Sequence, residues 1–191
     1  MFWENLGKNG IDMLTGEFNA TLDEAGRISL PRKMRDVLEK GKVVLTKGMN
    51  NCLRLYAFEE WNEVYSYVMR KTTQFSGRGV AFRRQLIASA HELEFDKQGR
   101  IPVTQRLRGF AGLSKDCVIV GQGDYIEIWD EGRYEEYLLS SEDEFKNASE
   151  ELDAMMMKER DLGNDTGCPH SGAAGGDIAV SLSERQGGVH D

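Results

Sequence analysis

Long apolar runs are missing from this chain, and none approaches the ~20 residues needed to cross a bilayer. The opening segment, MFWENLGKNGID, has no basic stretch followed by an apolar one, so it does not read as a secretory signal. Cysteine is scarce. Cys52, Cys117 and Cys168 are far apart and odd in number, which gives neither a disulfide framework nor a zinc-binding spacing. His91, His170 and His190 have no partner spacing for a catalytic triad or a metal site. These absences exclude membrane proteins, secreted disulfide scaffolds and zinc fingers. A cytosolic protein without metal or cofactor is expected.

What is present fits one ordinary domain or two small ones: 191 residues, 40% hydrophobic and 29% charged. The net charge of −8 is unevenly spread. Residues 135–191 carry fourteen acids and four bases, which leaves 18 acids and 20 bases in residues 1–134. The acidic balance thus belongs to the C-terminal part, and the body is mildly basic. An acidic total argues against non-specific nucleic-acid binding by the whole chain, but not against a local basic face. Residues 163–191 contain seven Gly with no apolar periodicity and read as a disordered tail.

A duplication organises the body. Shifted by 73 residues, Gly16–Trp61 lies on Ser89–Tyr134 without a gap, with TLDEAGRISL (21–30) on EFDKQGRIPV (94–103) and KVVLTKGMNNCLRLY (42–56) on KDCVIVGQGDYIEIW (115–129). Seven positions are identical: Asp23/Asp96, Gly26/Gly99, Arg27/Arg100, Ile28/Ile101, Arg35/Arg108, Lys42/Lys115 and Gly48/Gly121. Apolar positions match in kind, among them Leu45/Val118, Leu53/Ile126 and Tyr56/Trp129.

Each unit reads as strand, turn, strand, short helix, strand, turn, strand. Residues 17–22 alternate as a strand would. Asp23-Glu24-Ala25-Gly26 places Asp at the start of a type I turn and Gly where φ is positive. Pro31 suits a first helical turn, Met34, Val37 and Leu38 follow at helical spacing, and Gly41 can end the helix. Residues 43–45 and 52–56 read as strands around a Gly48–Asn51 turn. In the second copy Thr104 is expected to cap the helix. The first unit is followed by a helix with the apolar stripe Trp61, Val64, Tyr65 and Val68. The connector over 62–88 continues with a polar stretch from Arg70 to Gly79 and a second short helix, marked by Phe82, Leu86 and Ala90, that leads into the second unit. After the second unit (89–134), Tyr134, Tyr137 and Leu138 begin a helix reaching about Met157. A unit this small buries little surface alone. One pseudo-twofold body is therefore expected from residues 16–134, flanked by a C-terminal helix (135–162).

The chemistry-bearing feature is the repeated pentapeptide, Asp23-Glu24-Ala25-Gly26-Arg27 and Asp96-Lys97-Gln98-Gly99-Arg100. Asp can accept from the turn's amides and Gly permits the reversal. Two readings of the Arg stand side by side. Each can pair with its own Asp and brace a hairpin, or the rigid turns can aim Arg27 and Arg100 at phosphate or guanine edges. Arg32, Lys33 and Arg35 lie on the polar side of the first short helix, and Arg106 and Arg108 on that of the second. Together they suggest a basic surface for the DNA backbone, with salt-sensitive binding. Enzyme signals are poor. Asp23 and Asp96 each face an Arg four residues on, which favours ionised, structural carboxylates. Cys52 and Cys117 read as core thiols. Gly121-Gln122-Gly123 precedes a strand rather than a helix and so is not a dinucleotide loop.

The doubled strand–DxxGR–strand–helix unit resembles the MraZ family of bacterial transcriptional regulators, built from two SpoVT-AbrB-type domains. The resemblance rests on GEFNATLDEAGRISLPRKMRDVL (16–38), LRLYAFEEW (53–61), ELEFDKQGRIPV (92–103) and VGQGDYIEIWD (120–130), and covers about Met13 to Leu152. It implies an α+β fold, a duplicated swapped-hairpin AbrB-like β-barrel with flanking helices. It also implies no enzymatic activity, ring-like homo-oligomers, and a cytoplasmic, nucleoid-associated protein. Such proteins bind repeated promoter sites in double-stranded DNA that control the division and cell-wall gene cluster, usually as repressors. The motif residues carry over to Asp23, Arg27, Asp96 and Arg100. Two departures stand out. Family members start almost directly at a Met-x-x-Gly segment like Met13–Gly16, so residues 1–12 are either an extension or an early start codon. Thr104 stands where the family more often has proline.

The resulting expectation is a sequence-specific DNA-binding regulator. Its repeated Arg turns engage repeated sites, and an oligomer gains affinity through effective concentration. No membrane and no small-molecule substrate are expected. The alternative is an antitoxin-like or other AbrB-fold interaction module whose acidic tail wraps a basic partner.

Overall fold

The computed structural model describes residues 13–38 and 42–164. The expectations about residues 1–12, Gly41 and the tail beyond Asn164, Cys168 and His170 included, fall outside the described residues, while Gly163 and Asn164 belong to the last helix. The chain is α+β. Its first unit supplies β1 (Leu14–Thr21), β2 (Arg27–Ser29), α1 (Arg32–Leu38), β3 (Val43–Lys47) and β4 (Leu53–Ala57). Next come α2 (Phe58–Lys71) and α3 (Gly77–Leu86), then the second unit with β5 (His91–Leu93), β6 (Arg100–Pro102), α4 (Gln105–Ala111), β7 (Asp116–Gly123) and β8 (Tyr125–Asp130). Helices α5 (Glu131–Ser140) and α6 (Glu142–Asn164) follow.

The strands exchange partners between units. A six-stranded sheet runs β1-β7-β8-β4-β3-β5, and β2 pairs with β6 in a second, two-stranded sheet. The first strand of each unit thus lies against the third strand of the other. Exchanging the units reverses the order of the large sheet onto itself, which is the signature of a pseudo-twofold axis. Two residue pairs sit on that axis, each facing its own 73-residue equivalent: Ile28 opposite Ile101, and Arg54 opposite Glu127. The hydrogen bonding does not close into the expected barrel. The large sheet ends at β1 and β5, and an isolated Leu22–Ile28 bridge joins the residue after β1 to β2.

The gapless repeat is corrected at one place. Lys47 pairs with Leu53, and Gly121 with Ile126, so Lys47 corresponds to Gly121 and β3 maps onto β7 with a shift of 74. Outside this stretch, across β2/β6 and β4/β8, the shift is 73. The extra residue precedes β7, and it is offset in the second hairpin, where four residues (122–125) separate the last paired residues Gly121 and Ile126, against five (48–52) between Lys47 and Leu53. Leu45 is therefore matched by Ile119, not Val118, and both lie in the main core. The Lys42/Lys115 and Gly48/Gly121 identities are not structural equivalents. Gly121 answers a local need, since a Cβ there would strike the Leu14 backbone of β1.

Alternation then assigns the faces. Leu53 and Leu55 of β4, Ile126 and Ile128 of β8, and Cys117 and Ile119 of β7 point inward with Ile28, Ile101, Met34 and Leu107. Ile28 and Ile101 are fully buried, and truncating either to Ala should cost ~2–5 kcal/mol. On the other face Trp129 packs with Val118, Val120 and Tyr134 beneath α5, while Val44 and Tyr56 pack with Trp61 beneath α2. Of the stripe on α2, Trp61 and Val68 are buried, Val64 is half-buried and Tyr65 is exposed. Helix α2 runs on to Lys71 and α3 begins at Gly77, so the polar connector is shorter than expected. The single C-terminal helix is instead two, because α5 stops at Ser141, whose ψ is 6°. Residues to Asp143 form one compact unit and those from Glu144 a second.

Candidate nucleic-acid interface

Each DxxGR turn is built the same way. The Gly26 amide donates to the Asp23 carbonyl at 2.8 Å, and the Arg27 amide to Asp23 Oδ1 at 2.8 Å. In the second turn the Gly99 amide donates to the Asp96 carbonyl at 2.8 Å, and Asp96 Oδ1 accepts from the amides of Gln98 and Arg100 at 2.9 and 3.0 Å. The glycines take φ of +76° and +73°, the left-handed conformation that closes such a turn without a Cβ penalty.

The Arg side chains leave the turns along β2 and β6. Antiparallel pairing about Ile28/Ile101 brings both Arg to the axis, and the four motif side chains meet there. Arg27 Nε donates to Asp23 Oδ2 at 3.0 Å, and Arg100 Nε to Asp96 Oδ2 at 2.9 Å. Arg100 also crosses the axis, with Nη1 donating to Asp23 Oδ2 at 3.2 Å. The reciprocal contact, Arg27 Nη1 to Asp96 Oδ2, is a looser ion pair of 3.9 Å. Bracing by each turn's own Asp is one of the two readings of the sequence; the bracing of one unit by the other is a feature that the spacing of the motif does not carry. The contacts set the acidity of both carboxyls. Asp23 is lowered, first by the Arg27 backbone N–H, and Asp96 falls to about 2, first through the Arg100 side chain.

Arg35 and Arg108, identical across the units, also reach between them. A Cβ on Gly26 would lie 2.9 Å from the Arg108 guanidinium carbon, and one on Gly99 would meet the Arg35 guanidinium. Each half-buried helical Arg therefore lies over the turn glycine of the opposite unit. Arg35 Nε donates to the Leu30 carbonyl at 3.1 Å, whereas Arg108 Nε is buried without a hydrogen-bond partner among the described residues. Both helices have their N-terminal turns beside the motif. The Pro31 carbonyl accepts from the amides of Met34 and Arg35, and the Thr104 side chain accepts from the Leu107 amide at 3.3 Å, as expected of a cap.

Arg32, Lys33 and Arg106 are exposed on α1 and α4. Arg32 lies 3.9 Å from Asp36, a pair open to solvent and worth little. Lys33 and Arg106 have no ion-pair partner among the described residues. The turns and the two helices thus gather Arg27, Arg32, Lys33, Arg35, Lys97, Arg100, Arg106 and Arg108 against Asp23, Glu24, Asp36 and Asp96. This is where the basic excess of the body is concentrated.

Burial pushes the Cys52 thiol up to about 12 and Cys117 up to about 11, which makes both inert core thiols. Among the described residues no group of three His, Cys, Asp or Glu side chains could hold a metal, and no helix is long and apolar enough to cross a membrane.

A duplicated α+β unit with exchanged strands and two crossed DxxGR turns on the axis defines the structural class. Residues 13–78 and 86–155 match the family described as "MraZ protein, putative antitoxin-like". The chain is 45% identical over 139 residues to a protein of Treponema denticola named transcriptional regulator MraZ, spanning 73% of this chain and 96% of the relative. Proteins of the same name from Acetivibrio thermocellus and Lactobacillus helveticus are 40% identical over 146 residues and 38% over 142. They span 76% and 74% of this chain, and 98% and 97% of their own lengths. The chain belongs to the MraZ family.

Proposed function

We propose that this protein is a DNA-binding transcriptional regulator, without enzymatic activity, that acts in the cytoplasm at the nucleoid. The observation that carries this is the pair of crossed arginine turns on a pseudo-twofold axis, flanked by the basic faces of α1 and α4. Arg32, Lys33 and Arg106 supply backbone contacts, since exposed, unconstrained cations suit phosphates. Arg27 and Arg100 read base edges: their carboxylate partners occupy some of the five N–H donors of each guanidinium and hold the rest in a fixed direction. Arg35 and Arg108 position the turns from which those donors project.

The regulator is a repressor and works as a ring-like homo-oligomer on repeated promoter sites of the division and cell-wall gene cluster. Its surface supports self-association, with Phe145, Leu152 and Met155–Met157 exposed along α6. The test is a mobility shift with the DNA upstream of the protein's own gene. Arrays of the repeat should bind far more tightly than one repeat. Equal affinity for the array and for scrambled DNA would overturn the reading. The family's description as antitoxin-like keeps one rival, an interaction module, which predicts a stable complex with the product of a neighbouring small gene and no promoter shift.

A further inference from the structure

The outer face of the large sheet is covered unequally by the two units. Over β7 and β8, Tyr134 and Tyr137 of α5 close onto Trp129, with ring centroids 5.6 and 5.0 Å away. The 73-residue equivalents over β3 and β4 are Trp61, Val64 and Tyr56. The Tyr56–Trp61 contact is kept at 5.7 Å, but Val64 replaces the stacked ring of Tyr137. A cavity of about 780 Å³ opens there between α2, α3, the β3–β4 hairpin and Phe110 of α4. That lies within the roughly 300–1,000 Å³ range of small-molecule sites.

Its walls are Tyr56, Val64, Phe82, Leu86, Phe110 and Tyr125. At its rim stand Glu60, Glu63 and Asp124, exposed and without a hydrogen-bond or ion-pair partner among the described residues. Partial desolvation against the cavity wall, first, and then the charges of Asp124, Glu63 and Glu59 hold the Glu60 carboxyl above its ordinary value. Two of the lining bases are already engaged. Arg54 pairs with Glu127 at 3.2 Å and lies 4.5 Å from the Tyr125 ring centre, and Lys47 donates to Gln85 at 2.8 Å beneath Phe110. Arg70 remains at the mouth, against three unpaired carboxylates.

We propose that this cavity is a binding site for a small amphiphilic amine, with an aromatic body between Tyr125, Phe82 and Phe110 and its ammonium at Glu60 and Asp124. The aromatic and aliphatic walls take an apolar ring, and the unpaired carboxylates at the rim select the sign of its charge. The site uses none of the turn residues, so it stands apart from the DNA reading.

The test is calorimetric titration of the full-length protein with tryptamine, and with indole-3-propionate as a matched anion. Tryptamine should bind saturably with Kd below ~1 mM, and about tenfold more tightly than the anion. Glu60→Gln with Asp124→Asn, both at exposed positions, should erase that preference. Val64→Tyr, which restores the ring of the second unit, should abolish binding of either compound while melting stays cooperative. Absence of saturable tryptamine binding, or equal affinity for the anion, overturns the proposal, as does a folded Val64→Tyr protein that binds like the parent. If no amine binds and Val64→Tyr lowers the particle mass in light scattering, the cavity belongs to a second copy of the chain and the proposal fails. Should Val64→Tyr not fold, the carboxylate double variant decides alone.

Discussion

Gly26 and Gly99 show how one residue type serves two demands. Both take positive φ, and both lie under a guanidinium from the other unit. Gly26→Ala should destabilise the protein by ~1–2 kcal/mol, the cost of placing an L-residue in the left-handed region. The steric part is the smaller at Gly26, because the group 2.9 Å away is the end of a flexible Arg108 side chain that can shift. Urea denaturation would measure the loss, and a change within experimental error would remove the turn constraint from the account. Asp96 gives a second test at this scale. Its folded value of about 2 lies below the ordinary carboxylate value near ~3.9, so its contribution is complete above that value and is lost as pH falls through about 2. Arg100→Gln should raise the Asp96 titration midpoint toward the ordinary value in carboxyl carbon NMR. An unmoved midpoint would mean that the backbone amides of Gln98 and Arg100 alone hold the carboxylate.

Among elements, β4 and β8 meet at Arg54 and Glu127, an ion pair on the axis of an otherwise apolar strand pair. The two side chains are 20% and 11% exposed, Glu127 also accepts from Trp129 Nε1 at 3.1 Å, and Arg54 stacks on Tyr125. Removing one partner leaves the other charge poorly solvated. Glu127→Leu should therefore cost ~3–5 kcal/mol, and the double variant Arg54→Met/Glu127→Leu distinctly less than the sum of the single losses. Additive losses in the double-mutant cycle would mean that the pair is not coupled. Nothing in a single-strand pattern announces this contact, and the reason is physical. Alternation in Cys52–Tyr56 tells which residues share a face, but not which strand lies alongside. The turns were legible because Asp at the start and Gly at the end of DxxGR are local requirements. The strand exchange was not, because β1–β7 and β3–β5 pairing depends on contacts distant in sequence. The slip before β7 was hidden for a related reason: a lengthened connection and a shortened hairpin cancel in the count, so the alignment passes through both without a gap. Within the candidate site, the Gly26/Gly99 and Arg35/Arg108 identities did hold a usable signal. Five shared positions in one turn–helix segment were compatible with contacts from unit to unit, but spacing alone gave no way to see that they cross.

For the whole molecule, the question is how a chain of net charge −8 could hold DNA. The proposed answer is separation of charge, with bases gathered at the turns and acids concentrated beyond residue 134. If Arg32, Lys33 and Arg106 each neutralise one phosphate, each releases condensed counterions on binding. The logarithm of affinity for promoter DNA should then fall with the logarithm of salt, and each contact should contribute ~0.9 to that slope. Replacing all three by Ala should flatten the slope by ~2.7 per bound subunit and weaken binding to every sequence alike. Arg27→Ala should do something different. It should lower the preference for the promoter repeat over scrambled DNA by ~1–3 kcal/mol while changing the salt slope little, since a base edge carries no condensed counterion. Arg27 is the better single probe, because its Nη1 contact to Asp96 is the loose member of the cluster and its loss disturbs the crossed bracing least. Competition binding at several salt concentrations, with melting temperatures of each variant alongside, separates the two effects. An Arg27→Ala protein that keeps its sequence preference but melts many degrees earlier would assign Arg27 to bracing alone. The reading of DNA sequence would then have to come from another face.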